Sequence, residues 1–435
     1  MCYAIPGRVK EFVGAKHAVV DYFGEERKAI NELVNLKVGD YVYAQGGFVI
    51  SRVSAAEAEA TLATWKDLFF ELQELDARSS QLTPWGKKRF DRVRALMEAA
   101  AEGRVLSADE SAYLLRIKDP AEREFFLSAA NNLRQRHHSN SCCVHGIVEI
   151  SNYCSEGCQY CGISCLNTPL TRYRMSEDEI FAAVRMAVED YGFKALVLQS
   201  GEDPGRTIDE LVNIVAEVKR RFGVLIFISF GEVGALGLSR LYEAGARGLL
   251  MRFETSSPEM YARLHPGCRL EDRLAELRRA NDLGYLIVTG SLVGLPGQTT
   301  EDIVRDLELA RDLNVEMLSL GPVLPHPRTP FAAVPRPSVE AVVQVLAAAR
   351  FILPAQVKIL VTTGLETLDP RARREALMAG ANSVMLNVTP VEHRALYDIY
   401  PGRAHQDDPL AEQITVTKAL LESLGRAPTD LSVNV

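Results

Sequence analysis

Eight short apolar runs punctuate the chain after about residue 144: VHGIVEIS, KALVLQS, VLIFISF, GLLMRFE, LIVTGSLVG, EMLSLGP, KILVTT and SVMLNVT, with stretches of helical periodicity between them. Strands that alternate with helices in this way pair in parallel and are buried on both faces. No Gly-rich dinucleotide turn interrupts the alternation, which favours an α/β fold of the closed (β/α)8 TIM type over an open doubly wound sheet. In such a barrel the loops leaving the C-terminal strand ends carry the chemistry.

The chain before these runs reads differently. Residues 1 to about 54 hold five β runs, AIPGRVKEFV, HAVVDYF, ERKAINEL, DYVYAQ and GFVISRV, separated by turn residues, as expected of a small β-barrel. Ser54 then opens a helical pattern, and Glu57 three residues later is placed to complete a capping box. The stretch SSQLTP at 79–84 reads as a linker, and residues 84–140 show helical periodicity without strands. The expected organisation is a small barrel with its own helix (1–78), a linker and helical bridge (79–140), and the large barrel with a C-terminal helix (141–435).

With 435 residues and 47% apolar content the chain can bury a sizeable core. A net charge of −8 with no basic stripe argues against a nucleic-acid surface. No apolar run approaches the roughly 18 residues that span a bilayer, and MCYAIPGRVKEF lacks the apolar region of a signal peptide. A cytoplasmic protein without nucleic-acid or membrane partners is expected.

That setting decides how the eight cysteines are read, six of which lie between residues 142 and 165. In a reducing compartment such clustering points to metal ligation before disulfides. Cys154-x-x-x-Cys158-x-x-Cys161 follows directly from the first barrel strand, so one tight loop converges three soft thiolates. That number leaves the fourth iron of a 4Fe-4S cubane open to a small chelating molecule. Cys165 offers a fourth thiolate and would instead close a zinc site, although structural zinc sites usually pair two knuckles from separate loops. Cys142, Cys143 and Cys268 read as buried thiols.

The CxxxCxxC loop, with Tyr160 before its third cysteine, resembles the radical S-adenosylmethionine (SAM) superfamily. The resemblance implies that SAM chelates the unique iron and is cleaved to a 5′-deoxyadenosyl radical, while the protein supplies orientation and electrostatics. After the second run, Gly201 permits close backbone approach and Glu202 offers an acceptor for the methionyl ammonium. The fourth run ends in Arg252-Phe253-Glu254-Thr255, where strand alternation would put Arg252 and Glu254 on one side. In GSLVGLPGQT, Gly290, Gly294 and Gly297 allow backbone contact with adenine.

Seven stretches, EISNYCSEGCQYCG, RYRMS, VLQSGEDP, RFETSSPEMYARLHPG, GSLVGLPGQT, GPVLPHPRTP and LYDIYPG, are together similar to HydE, the maturase family of FeFe-hydrogenase, grouped with biotin synthase and methylornithine synthase. The resemblance implies that Glu202 holds the SAM amino group and that Glu254 and Arg273 contact ribose and carboxylate. Arg252, Thr362, Thr363, Met385, Asn387, Tyr397 and Tyr400 would line the cavity of a small iron complex carrying CO and cyanide. His326, in the PHP turn, reads as a loop-shaping residue. Two departures stand out: RHET of the family is RFET here, so Phe253 removes a polar group close to the cavity, and AHQDDP carries no cysteines for an auxiliary cluster.

The N-terminal stretches MCYAIPGRV, VDYFGEERKAINEL, VGDYVYAQGGFVI and AEAEATL resemble HypC, a chaperone family of NiFe-hydrogenase assembly. That resemblance makes Cys2, freed of Met1, a candidate ligand of mononuclear iron. Gln45 stands where the family has histidine, and a docking module is the plainer reading. The combined expectation is a radical SAM enzyme of hydrogenase cofactor maturation, served by other maturation proteins and an electron donor. Its alternatives are a mutase acting on an amino acid, like methylornithine synthase, and a metallochaperone without catalysis.

Overall fold

The computed structural model describes residues 5–14, 16–82 and 90–429. Cys2 and the end of the expected linker, residues 83 and 84, lie outside the described residues. Strands β1 (Gly7–Val13), β2 (His17–Tyr22), β3 (Glu25–Asn31), β4 (Tyr41–Gln45) and β5 (Phe48–Val53) close a barrel in the order β1-β2-β3-β5-β4. Most of its pairs are antiparallel, and β3 with β5 is parallel. Helix α1 (Ala55–Ser79) follows, with the Ser54 hydroxyl accepting the Glu57 amide at 3.2 Å, one half of the expected box. Trp65, Phe69 and Leu72 bury the helix against Ile5, Val20 and Val42 of the small barrel.

Three helices come next: α2 (Asp91–Ala101), α3 (Ala108–Leu115) and α4 (Pro120–His138). Asp119 caps α4 and Pro120 opens it, where the missing amide proton costs nothing. Phe126 of α4 meets Phe351 at 5.3 Å, so these helices form part of the outer wall of the large barrel.

The large barrel has eight parallel strands: β6 (Cys143–Ser151), β7 (Ala195–Ser200), β8 (Leu225–Ser229), β9 (Ala246–Leu250), β10 (Leu286–Thr289), β12 (Met317–Pro322), β13 (Lys358–Val361) and β14 (Ser383–Asn387). A two-residue strand, β11 (Leu292–Val293), pairs with the end of β12, and the β10–β12 pairing closes the circle. The run LIVTGSLVG is thus broken rather than continuous. At Gly290 a Cβ would lie 2.3 Å from the Ser319 carbonyl oxygen, and the strand re-forms only beyond that close approach.

The small barrel stoppers the N-terminal end of the large one. Tyr43, Phe48, Ile50 and Val53 share one apolar cluster with Ala195, Leu225, Phe227, Val288, Met317 and Leu360 from inside the large barrel. The opposite, C-terminal end is left open. Among the described residues no helix is long and apolar enough to cross a membrane.

Candidate active site

Strand β6 is nine residues long, and its alternate residues Cys143, His145, Ile147 and Glu149 fall on one face. Ile147 and Glu149 line a cavity of about 280 Å³ within the barrel. Its floor is apolar, made by Ile147, Leu250, Leu360 and Met385, and its upper wall is polar, with Glu149, Tyr160, Arg252, Glu254, Tyr400 and Arg403. Cys161 borders the same space.

The loop after β6 presents the three cysteines. Burial raises all three thiols, and Cys161 is pushed up to about 12; the neighbouring sulfurs add to the rise, Cys161 and Cys154 at Cys158 and Cys154 at Cys161. Such thiols release their protons only to a strong cationic centre, and their soft donors suit iron. Cys165 is exposed and Cys142 and Cys143 are buried, whereas Cys268 is only half-buried, with its thiol 2.9 Å from Glu156 of the cysteine loop. Gly201 lets β7 pass the loop, since a Cβ there would lie 2.4 Å from the Tyr153 carbonyl oxygen and 2.6 Å from the Cys154 Cβ.

Beside the cysteines stands a set of charged groups. Glu202 Oε1 accepts the Glu232 amide at 3.1 Å, and burial pushes its carboxyl up to about 7. Arg273 Nε lies 2.6 Å from Glu232 and its Nη2 3.7 Å from Glu202. Glu254 Oε1 accepts the Tyr160 hydroxyl at 3.0 Å and lies 3.2 Å from Arg252 Nη2, while its Oε2 is buried without a hydrogen-bond partner among the described residues. These are features of a cradle for a polar ligand carrying an ammonium, a carboxylate and hydroxyls, which fits SAM.

Arg252 and Glu254 reach the cavity by a different route from the one expected. Strand β9 ends at Leu250, and Glu254 turns inward through a left-handed backbone at φ 66°. That conformation is strained for a non-glycine residue and is typical of functional sites. Phe253 points the other way and is fully buried in the barrel wall, so the RFET change does not reach the cavity.

Thr362, Thr363, Met385, Tyr397 and Tyr400 line the cavity. Asn387 lies behind it, donating to Glu149 at 2.9 Å. Gly294 is set apart at φ 92°, close to Pro337, its amide held by Gln298. His326 shapes its loop, accepting the Arg328 amide and meeting Asp398 at 3.0 Å.

Three contributors escaped the sequence reading: the buried Glu149–Arg403 ion pair, Gln199, whose amide donates to the Tyr397 hydroxyl at 3.1 Å, and His265, 3.1 Å from the Cys158 sulfur. An acidic residue inside the apolar run VHGIVEIS was the one available signal for Glu149.

The comparisons agree with this geometry. Residues 148–310 match the radical SAM superfamily, residues 1–65 the HupF/HypC family and residues 320–419 the biotin and thiamin synthesis associated domain. The chain is 37% identical to the FeFe-hydrogenase maturase subunit HydE of Thermotoga maritima, over 72% of this chain and 89% of that one. It is 29% identical to 3-methylornithine synthase of Methanosarcina acetivorans, over 76% and 93% of the two chains. A crystal structure of methylornithine synthase superposes with a TM-score of 0.68 at 25% identity, covering 77% of this chain and 97% of the other. The protein therefore belongs to the radical SAM superfamily and, within it, to the family of the maturase HydE, as an enzyme that uses a 4Fe-4S cluster and SAM.

Proposed function

We propose that this enzyme matures a hydrogenase cofactor by acting in its barrel on a small iron complex that carries CO and cyanide. The observation that carries the proposal is the shared wall of cavity and cluster loop: Cys161 and Tyr160 border the space that Arg252, Arg403, Thr362 and Tyr400 enclose. A substrate held there is within reach of a radical born at the cluster. When bound, the cluster supplies the electron that cleaves SAM and releases the 5′-deoxyadenosyl radical.

The chain's own residues then have separable tasks. Glu202, once ionised, accepts the SAM ammonium; Arg273 turns toward the SAM carboxylate; Glu254 offers Oε2 to the ribose hydroxyls while Tyr160 and Arg252 hold Oε1. The guanidinium groups of Arg252 and Arg403 donate to the cyanide nitrogens of the substrate, and Thr362 and Tyr400 complete the polar wall. The apolar floor excludes water from the radical.

In this reading the HypC-like domain carries or receives the iron species through Cys2, other maturation proteins and an electron donor serve the enzyme, and the site of action is the cytoplasm. An amino-acid mutase of the methylornithine synthase kind is the competing chemistry.

The test is anaerobic reconstitution to about four irons per chain, followed by dithionite reduction and SAM. An EPR signal that shifts on adding SAM is expected, and Cys158→Ala should abolish it. The reduced enzyme is then offered either an iron complex with cysteine, CO and cyanide ligands or an α,ω-diamino acid. Attachment of the 5′-deoxyadenosyl group in the first case supports the proposal. Turnover of the amino acid alone refutes it, and zinc in place of iron removes its foundation.

A further inference from the structure

The inward face of β6 that supplies Ile147 and Glu149 to the cavity carries Cys143 and His145 at its other end. Cys143 Sγ lies 3.0 Å from His145 Nε2, deep in the N-terminal mouth of the large barrel. The small barrel closes over this pair: Gln45, the last residue of β4, points its amide at the same sulfur, with Nε2 3.4 Å away. All three side chains are at most 2% exposed.

The hairpin tip that brings Gln45 is seated inside the barrel end. Gly46 has φ 56°, and a Cβ on it would lie 2.8 Å from Leu286 and 2.9 Å from Leu225, so only glycine allows this depth. The ring of Phe227 packs on His145 with centroids 5.3 Å apart. A thiol, an imidazole and a carboxamide thus meet in an apolar enclosure, contributed by two different domains. At roughly 3.3 Å per residue, Cys143 sits about 20 Å below Glu149 along one strand, so this place is separate from the SAM cradle.

The geometry points to a mononuclear metal site at the seam of the two domains, in which the Cys143 thiolate and the His145 imidazole bind a soft or borderline divalent transition-metal ion beneath Gln45. Thiolate and imidazole are the ligand types that select such ions. A half-turn of the Gln45 amide presents its oxygen as a third donor. Among the described residues no third His, Cys, Asp or Glu side chain joins Cys143 and His145. Two such ligands and an amide leave open positions on the ion, which suits a cargo that brings small ligands of its own. Because the sulfur would bind as thiolate, metal binding there is coupled to proton release. The inference does not depend on the substrate proposed above.

The experiment uses the full chain with Cys154→Ala, Cys158→Ala and Cys161→Ala together, so that no cluster iron obscures the reading. Anaerobic titration with Co(II) should give one ion per chain with a thiolate-to-cobalt charge-transfer band, and X-ray absorption should show sulfur and nitrogen neighbours. Adding Cys143→Ser should abolish the band. His145→Gln should weaken binding by tenfold or more, and Gln45→Ala, on the other domain, by several-fold. Absence of a stoichiometric band overturns the site. So does a band that survives Cys143→Ser, or one lost only with Cys2→Ala. Should Cys143→Ser fail to fold, the X-ray absorption of the Cys143-containing protein decides, since a shell without both sulfur and nitrogen refutes the assignment.

Discussion

The imidazole Nδ1 of His265 lies 3.1 Å from the sulfur of Cys158. Burial, aided by the Arg273 and Arg252 charges, pushes the His265 pKa down to about 3, so the ring is neutral. A metal-bound thiolate has no proton to give, so the proton of this contact resides on Nδ1 and the ring donates. Hydrogen bonds to cluster sulfurs favour the more negative, reduced state and raise the potential. We predict that His265→Phe lowers the cluster potential by on the order of 60 mV, about 1.4 kcal/mol for one electron. An EPR-monitored redox titration of reconstituted protein reads this directly. An unchanged potential would make His265 a packing residue.

Arg273 stands between two carboxylates, Glu232 at 2.6 Å and Glu202 at 3.7 Å. Removing it takes away the partner expected for the SAM carboxylate and leaves Glu202 and Glu232 facing each other uncompensated. Arg273→Ala should therefore weaken SAM binding by about 10- to 100-fold, the equivalent of a charge-assisted hydrogen bond of roughly 1.5 to 3 kcal/mol. The iron content and the EPR signal without SAM should not change. Equilibrium dialysis with labelled SAM decides, and wild-type affinity would remove Arg273 from the cradle.

The architecture was legible in the chain because strand periodicity and βα alternation are local signals, and the cysteine loop because its ligands lie within eight residues. What escaped was made by distance or by backbone detail. Glu149 and Arg403 are 254 residues apart and meet only when β6 and the segment after β14 share the open end of the barrel. His265 reaches Cys158 across 107 residues. The break in the fifth run depends on the approach of Gly290 to Ser319, and the inward turn of Glu254 on its positive φ, neither of which residue types reveal. Phe253 was set close to the cavity by the family resemblance alone, whereas alternation from Arg252 and Glu254 turns it into the barrel wall, where it is buried.

Asp306 offers a pH test of the wall behind the cradle. Its carboxylate accepts the Ser256 amide and hydroxyl, both at 2.6 Å, which ties the segment after Glu254 to the helix spanning Thr300–Asp312. Burial nevertheless pushes its pKa up to about 6 from an ordinary 3.8. Between those two values the folded chain keeps a proton that the unfolded chain has released. Its contribution to stability therefore falls as pH rises from about 4 to 6 and stays low above that. Asp306→Asn removes the titration. Its stability relative to the parent should improve across this window by on the order of 2 to 3 kcal/mol, measured as paired urea unfolding curves. A difference that stays flat with pH would mean that Asp306 titrates normally.

Asp76 carries the last prediction, about how the parts are held together. It sits near the end of α1, the helix that leaves the small barrel, and is 1% exposed. Arg134 of α4 grips it with two bonds, 2.7 Å and 2.8 Å, and Arg426 from the C-terminal segment meets it at 2.8 Å. Both arginines are fully buried. Gly425, at φ 72°, allows the chain to pass where a Cβ would lie 2.3 Å from the Asp76 amide nitrogen. One carboxylate therefore offsets two guanidinium charges that have no access to water and joins three segments distant in sequence. Asp76→Ala leaves both cations without it, and removing one partner of a buried pair typically costs about 3 to 5 kcal/mol. Asp76→Asn keeps the shape and the acceptor oxygen but not the charge, and should cost less. The two variants should rank in that order by chemical denaturation, with the cluster loop, at the far end of the barrel, still able to take up iron under native conditions. Equal stabilities for Asp76→Ala and the parent would mean that packing, not this charge cluster, fastens α1 to the barrel wall.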